Sequence, residues 1–269
     1  MQARAVVRDK PMASEDGVRH LGKRATMKIL NLGCGAKTCD KEGVTNIDWS
    51  IYLRLRKNRI LRVAASMVLK GERLKYFSSL PDNIMVHNLA RNIPFDSDSV
   101  DVVYHSHMLE HLDQDVASEF LREVKRVLRP GGICRIVVPD LEIAVKAYLS
   151  HISSCERSPD SAEEHDTYVA GLLEQSVRKE ASSTSRQTPL RRRVENMLLG
   201  DARRRGETPQ WMYDRFNLTY LLKRRLGYSH VHVQNYKTSL IKDWGDYGLD
   251  VDDQGNQYKP DSLYVEAMK

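Results

Sequence analysis

Between residues 27 and 149, short apolar runs alternate with segments whose apolar positions recur every three or four residues. Runs of the first kind predict buried strands, and the second kind predicts amphipathic helices. Five strands read out in this way, at 28–32, 44–48, 85–88, 100–104 and 133–138. The clearest helix runs from about Asp115 to Arg129, with Val116, Phe120, Val124, Val127 and Leu128 along one face. Asp113 and Asp115 complement the positive end of its dipole, and Arg126 and Arg129 the negative end. Pro130-Gly131-Gly132 then stops it. Strands alternating with helices predict an α/β fold built on a doubly wound, mostly parallel sheet.

The alternation fails on both sides of this core. Residues 1–26 are polar, lack an apolar period and read as a flexible tail. Residues 150–210 are rich in Ser, Glu and Arg and predict a helical and loop insertion that caps a substrate. Residues 211–269 complete the sheet. A helix through Leu218, Leu221, Leu222 and Leu226 is stopped by Gly227, and strands follow at 231–236 and 262–268. The turn-rich stretch Asp250 to Pro260 separates those strands. His230 and His232 alternate along the first of them and are expected to face solvent.

Composition narrows the classes. No apolar run approaches the ~20 residues of a membrane span. The four cysteines, Cys34, Cys39, Cys134 and Cys155, form no C-x-x-C pair. Neither a disulfide framework nor a metal site is expected, and no secretory pattern opens the chain. A cytoplasmic location is the expectation. There are 42 basic against 36 acidic residues, a net charge of +6. That surplus admits an anionic partner without requiring one.

The strongest chemical signal is positional. One strand ends in Asn31-Leu32-Gly33-Cys34-Gly35 and the next ends in Asp48. In a doubly wound sheet both ends fall at the carboxyl edge, where ligands bind. Glycines allow a tight turn with positive φ, and a following helix N-terminus would offer free amides. Asp48 can accept from two ribose hydroxyls at once. The expected ligand is a nucleoside-containing cofactor. A dinucleotide fingerprint needs a third glycine at position 38, where this chain has Thr38.

Further landmarks follow in order. They are Asn88 to Phe95 with Ile93-Pro94-Phe95-Asp96, Val100-Asp101-Val102-Val103, His107-Met108-Leu109-Glu110-His111-Leu112 and Arg129-Pro130-Gly131-Gly132. This ordered series resembles the class I S-adenosylmethionine-dependent methyltransferases of the type 11-like kind. Trp211-Met212-Tyr213-Asp214 and Lys259 to Ala267 are similar to a bacterial subgroup often linked to surface-polysaccharide synthesis. The resemblance implies a Rossmann-like, seven-stranded sheet whose last strand, 262–268, lies antiparallel beside 231–236. It implies S-adenosylmethionine as cofactor.

The resemblance also implies roles for particular residues. Asn31, Gly33, Cys34 and Gly35 would hold the methionine end, and Asp48 the ribose. Asn88 stands where the family usually has Asp for the adenine amino group, and Leu89 would meet the ring. His105 and Ser106 would lie beside the methyl group. His107 is the first candidate for a general base, and His111 the second. Tyr213 and Asp214 are candidates for acceptor contact. The acceptor would be a sugar hydroxyl of a glycan or a related small molecule.

Other readings compete. His107 to His111 also spells the H-x-x-E-H zinc-protease motif, but here it follows a parallel strand in a nucleoside-binding unit. The arginine triplets 191–193 and 203–205 raise an RNA methyltransferase, yet no Asn/Asp-Pro-Pro-aromatic segment, Pro-Cys site or RNA module supports it. No nucleic-acid partner is expected. Asn88 in place of Asp keeps a non-catalytic cofactor-binding protein as an alternative. Residues 52–70 mix apolar with Arg and Lys positions and read either as a cap over the cofactor pocket or as a helix on an anionic membrane surface.

Overall fold

The computed structural model describes residues 26–89, 91–175 and 209–269. The expected N-terminal tail and most of the second half of the insertion lie outside the described residues. The centre is a seven-stranded sheet in the order β3-β2-β1-β4-β5-β7-β6. The strands are β1 (Ile29–Leu32), β2 (Val44–Asp48), β3 (Ile84–Val86), β4 (Val100–Ser106), β5 (Leu128–Pro139), β6 (Ser229–Gln234) and β7 (Ser262–Met268). The first five are mutually parallel, and β7 runs antiparallel between β5 and β6. This is the sheet the sequence leads one to expect.

Helices α1 (Ile51–Lys57), α2 (Arg59–Val68) and α3 (Glu72–Ser79) join β2 to β3, and α4 (Gln114–Val127) joins β4 to β5. Helix α5 (Leu141–Arg157) follows β5 and runs through residue 150 without a break, and α6 (His165–Gln175) comes next. Helix α7 (Arg215–Tyr220) continues into a π-helical turn, Leu221–Arg225, and Gly227 ends it at φ 66°. Among the described residues, no helix is long and apolar enough to cross a membrane.

Three expectations need correction. Helix α4 ends at Val127, and β5 already begins at Leu128, which pairs with Val100 before a register shift. Gly131, at positive φ, accommodates that irregularity. Arg129 pairs with Asp101 at 2.7 Å and leaves the helix end uncapped by its charge. The buried face of α4 is Ala117, Phe120, Leu121, Val124 and Val127, and Val116 points outward. Finally, no helix follows Gly35. Residues 33–43 cross to β2 as a loop, with the glycines 33, 35 and 43 all at positive φ.

The sheet divides the core by strand alternation. Leu30, Leu32, Val103, Ile136 and Val265 face α4 and α7. Ile29, Val102, Tyr104, Val137 and Tyr264 face Ile241, Trp244 and Leu249 on the other side. One charge is buried on this second face. Arg135, fully inaccessible, binds Asp250 at 2.7 Å and Glu266 at 2.6 Å. It also donates to the carbonyls of Asn235 and Thr238. Tyr104 and Trp244 donate to the same Asp250 carboxylate. The network is satisfied while intact, but removing the cation would leave two buried carboxylates unpaired. Arg135→Leu is expected to lose about 3–5 kcal/mol of stability in chemical denaturation.

Helix α2 is thinly covered. Ala65 is its buried residue, whereas Ile60, Val63, Met67 and Val68 are exposed.

Candidate functional site: the carboxyl edge of the sheet

Pairing register gathers the site. Leu32 of β1 stands between Ile47 and His105, and Asp48 stands opposite Val86. The turns leaving β1, β2, β3 and β4 therefore meet at one edge. Gly33, at φ 63°, donates to the Ile47 carbonyl at 2.8 Å. Gly35, at φ 53°, donates to Asp48 Oδ2 at 2.7 Å. The amides that a helix N-terminus would have offered to a ligand are thus used to latch the glycine turn onto β2.

Asp48 keeps its carboxylate at this edge. Burial raises its pKa, and the N–H groups of Gly35 and Trp49 oppose that rise. Two backbone donors leave lone pairs for further acceptance, the chemistry a ribose diol needs. Cys34 is buried, its thiol pKa driven far up by desolvation, so it contributes backbone and bulk rather than a thiolate. Asn88 follows β3 at the same edge, and its carbonyl accepts from Arg91. Leu89 packs against the main core.

Several expected contacts have other duties. The Asn31 side chain is buried and donates to Lys37 O and to Asn46 Oδ1, both at 2.9 Å. Asn46 in turn clasps both backbone groups of Cys39. The Asn31 side chain therefore shapes the loop from within. His105 is sealed beneath the edge, its ring edge-on to Phe120 at 5.4 Å. Neither ring nitrogen has a hydrogen-bond partner among the described residues, and burial lowers its pKa to about 3. It is a neutral core ring, because alternation turns position 105 toward α4. Ser106 turns the other way, to the face of the sheet that carries Tyr104.

Tyr213 is likewise a core residue, and its carbonyl accepts from Leu141 at the start of α5. Asp214 caps α7, accepting from Phe216 and Asn217 at 2.8 Å each in a reciprocal capping box. Both line a cavity of about 820 Å³ whose more accessible walls are Trp211, Phe216, Tyr220, Lys223 and Arg225. The wall residues were not legible as a site, because aromatic and basic positions spaced along a helix also suit a surface.

The β4–α4 turn holds the proton chemistry. His107 sits at φ 50°, and Nε2 lies 2.8 Å from Ser262 Oγ on β7. Ser262 donates to the Lys259 carbonyl, so it accepts from His107 and fixes the proton on Nε2. Nδ1 then faces Glu110 Oε1 at 3.5 Å. The same oxygen lies 3.7 Å from His111 Nε2. Burial raises the Glu110 pKa to about 8 and lowers that of His107 to about 4, the latter helped by Lys259 and His111. At neutral pH the turn holds a protonated carboxyl between two imidazoles. The backbone N–H groups of Gln210 and Trp211 bind the Glu110 carbonyl, which ties the cavity wall to this turn. Glu110 is the principal residue that the sequence left unassigned.

Tyr76 is another. It approaches Tyr52 edge-on at 5.6 Å, and burial, then Asp48 and Cys34, raise its pKa. Leu53 and Tyr52 of α1 pack in one cluster with Cys34, which sets α1 against the glycine turn.

Residues 55–136 match the family described as a methyltransferase domain. A search of curated proteins returns no match. Among solved structures, the chain is similar to an S-adenosylmethionine-dependent methyltransferase from Archaeoglobus fulgidus. The identity is 13%, the TM-score 0.41, and the likeness covers 91% of this chain and 87% of that one. A Methanosarcina mazei S-adenosylmethionine-dependent methyltransferase shares 18% identity at TM-score 0.39, covering 90% and 92%. One from Mesorhizobium loti shares 16% at TM-score 0.38, covering 90% and 91%. The matched stretch gives the chain a methyltransferase domain, set on the strands whose carboxyl ends form this site.

The shifted groups predict a pH signature. Glu110 is protonated in the folded protein up to about pH 8 but ionises near 4.5 when unfolded. Its contribution to stability therefore falls as pH rises through that window. His107, lowered from 6.5 to about 4, acts oppositely, but only below about pH 6.5. Between pH 6.5 and 8 the Glu110 effect stands unopposed by His107. The thermal midpoint is expected to fall across this range, and Glu110→Gln is expected to flatten it.

Proposed function

We propose that this protein O-methylates a sugar hydroxyl of a glycan or a related small molecule. The observation that carries the reading is the His107–Glu110–His111 cluster beside the glycine turn. Bound S-adenosylmethionine supplies an electrophilic methyl group. Gly33 and Gly35 offer it close backbone approach, and Asp48 offers the ribose an acceptor. A hydroxyl needs a base as its oxygen attacks, and a neutral imidazole can take that proton. His107 and His111 are the bases, and Glu110 is a positioning residue that orients both rings.

The cavity walled by Trp211, Phe216 and Tyr220 supports a ring-shaped acceptor, because aromatic faces pack on the apolar side of a sugar. Lys223, Arg224 and Arg225 beside them suit a phosphate or carboxylate on it. The bare apolar face of α2, with Arg54, Lys57, Arg59 and Arg62 around it, supports an acceptor carried on an anionic membrane.

The test is transfer of labelled methyl to a panel of free sugars, sugar phosphates and lipid-linked glycans in anionic vesicles. Label on a sugar hydroxyl is expected, with His107→Ala lowering kcat by roughly 10²–10⁴-fold. Any advantage of the vesicle-borne acceptor should fade as salt rises. Label on RNA and on no sugar would overturn the acceptor class.

A further inference from the structure

Helices α5 and α6 form a hairpin that leaves the carboxyl edge. Asp140 caps the first turn of α5, accepting from Glu142. At 1.5 Å per residue, His151 lies about 15 Å along the helix from Leu141. The hairpin has little apolar core of its own. His151 is the one buried residue of α5, and Leu149 and Leu173 are exposed. Short α-helical units without a core usually need a staple.

The hairpin has the parts of one. His151 and Cys155 stand one turn apart on α5, and His165 opens α6. Their donor atoms converge. His151 Nδ1 is 3.2 Å from His165 Nδ1. Cys155 Sγ is 3.4 Å from the first and 4.0 Å from the second. Tetrahedral zinc with ordinary bond lengths sets N···N edges of about 3.3 Å and N···S edges of about 3.6 Å. The rings are also fixed from outside. Tyr168 stacks on His151 at 3.9 Å between centroids, and Tyr148 lies against His165 at 5.6 Å.

We propose that His151, Cys155 and His165 bind a divalent cation of the zinc class, which fastens α5 to α6. Two imidazoles and a thiolate are a borderline-soft donor set, suited to zinc rather than to magnesium or calcium. Cys155 loses its proton on binding, and the imidazoles bind as neutral ligands. Cys155 and His165 are partly exposed, so the cluster can be reached from solvent. A proton shared between the two Nδ1 atoms would also draw the rings together, and the experiment separates the two accounts. The cysteine spacing hid this site, because the ligands read H-x₃-C-x₉-H, with the single cysteine between histidines.

The experiment uses the full chain, freed of metal by a chelator and titrated with Co²⁺ and then Zn²⁺. One Co²⁺ per chain is expected, with thiolate charge-transfer and tetrahedral ligand-field absorption that Zn²⁺ abolishes. Cys155→Ala should remove the charge-transfer band, although Cys34, Cys39 and Cys134 remain. His165→Gln should weaken Zn²⁺ binding at least ~100-fold, the upper end of the loss seen for mere outer-shell partners. Zn²⁺ should raise the thermal midpoint of the wild type and not that of His165→Gln, both checked for native circular dichroism. The double variant His107→Ala/His111→Ala should keep the band. No tight Co²⁺ binding, a band that survives Cys155→Ala, or a band lost only in the double variant would each overturn the proposal.

Discussion

The site depends on one close approach. A side chain at Gly33 would begin 2.6 Å from Met108 Sδ, and the backbone there sits at φ 63°. Glycine is required twice over, once by conformation and once by space. The consequence is that the turn after β1 and the turn after β4 pack directly on each other. The first turn is latched to Asp48, and the second carries His107, Glu110 and His111. The glycine turn and the His107–Glu110–His111 turn are thereby brought to one place by the contact of Gly33 with Met108. Gly35 differs, since a side chain there would meet open space and only its φ calls for glycine.

A second constraint reaches the same turn from the far side of the sheet. Arg135 and Glu266 are register partners across β5 and β7, and the ion pair between them fixes that ladder. The same register sets Ser262 opposite Pro139 at the carboxyl edge. From there Ser262 meets His107 and selects its tautomer. A buried charge with no part in the chemistry thus governs which imidazole nitrogen is bare. The cost of burying it is offset by two carboxylates and two carbonyls.

Much of this architecture was legible. Val44–Asp48 and Ser262–Met268 are the strands the apolar pattern marks, because turn residues bound both. The position of Asp48 beside a glycine turn followed from sheet topology alone. What failed did so for physical reasons. Pro130-Gly131-Gly132 looked like a stop, but a strand can absorb it as an irregularity when its neighbour β4 supplies the pairing. Gly33 to Gly43 looked like the start of a helix, but the chain spends its amides on Ile47 and Asp48 instead. Asn31, His105 and Asp214 were placed in the right neighbourhood. Their side chains also carry structural duties that spacing does not reveal, because one-dimensional spacing cannot say which face a residue takes or which backbone donor it meets. Glu110 was legible only as part of the rejected zinc-protease motif, because nothing in the spacing reveals that it is buried between two histidines.

The central claim is that the turn from Gly33 to Gly35 and the carboxylate of Asp48 hold S-adenosylmethionine. Calorimetric titration of the full chain with S-adenosylmethionine, S-adenosylhomocysteine and NADH tests it most directly, in the wild type and in Asp48→Ala. The account predicts that the two adenosyl sulfur compounds bind, that NADH does not, and that the substitution weakens binding at least ~10-fold, the equivalent of about 1.4 kcal/mol. Binding of NADH, or adenosyl binding untouched by Asp48→Ala, would contradict it.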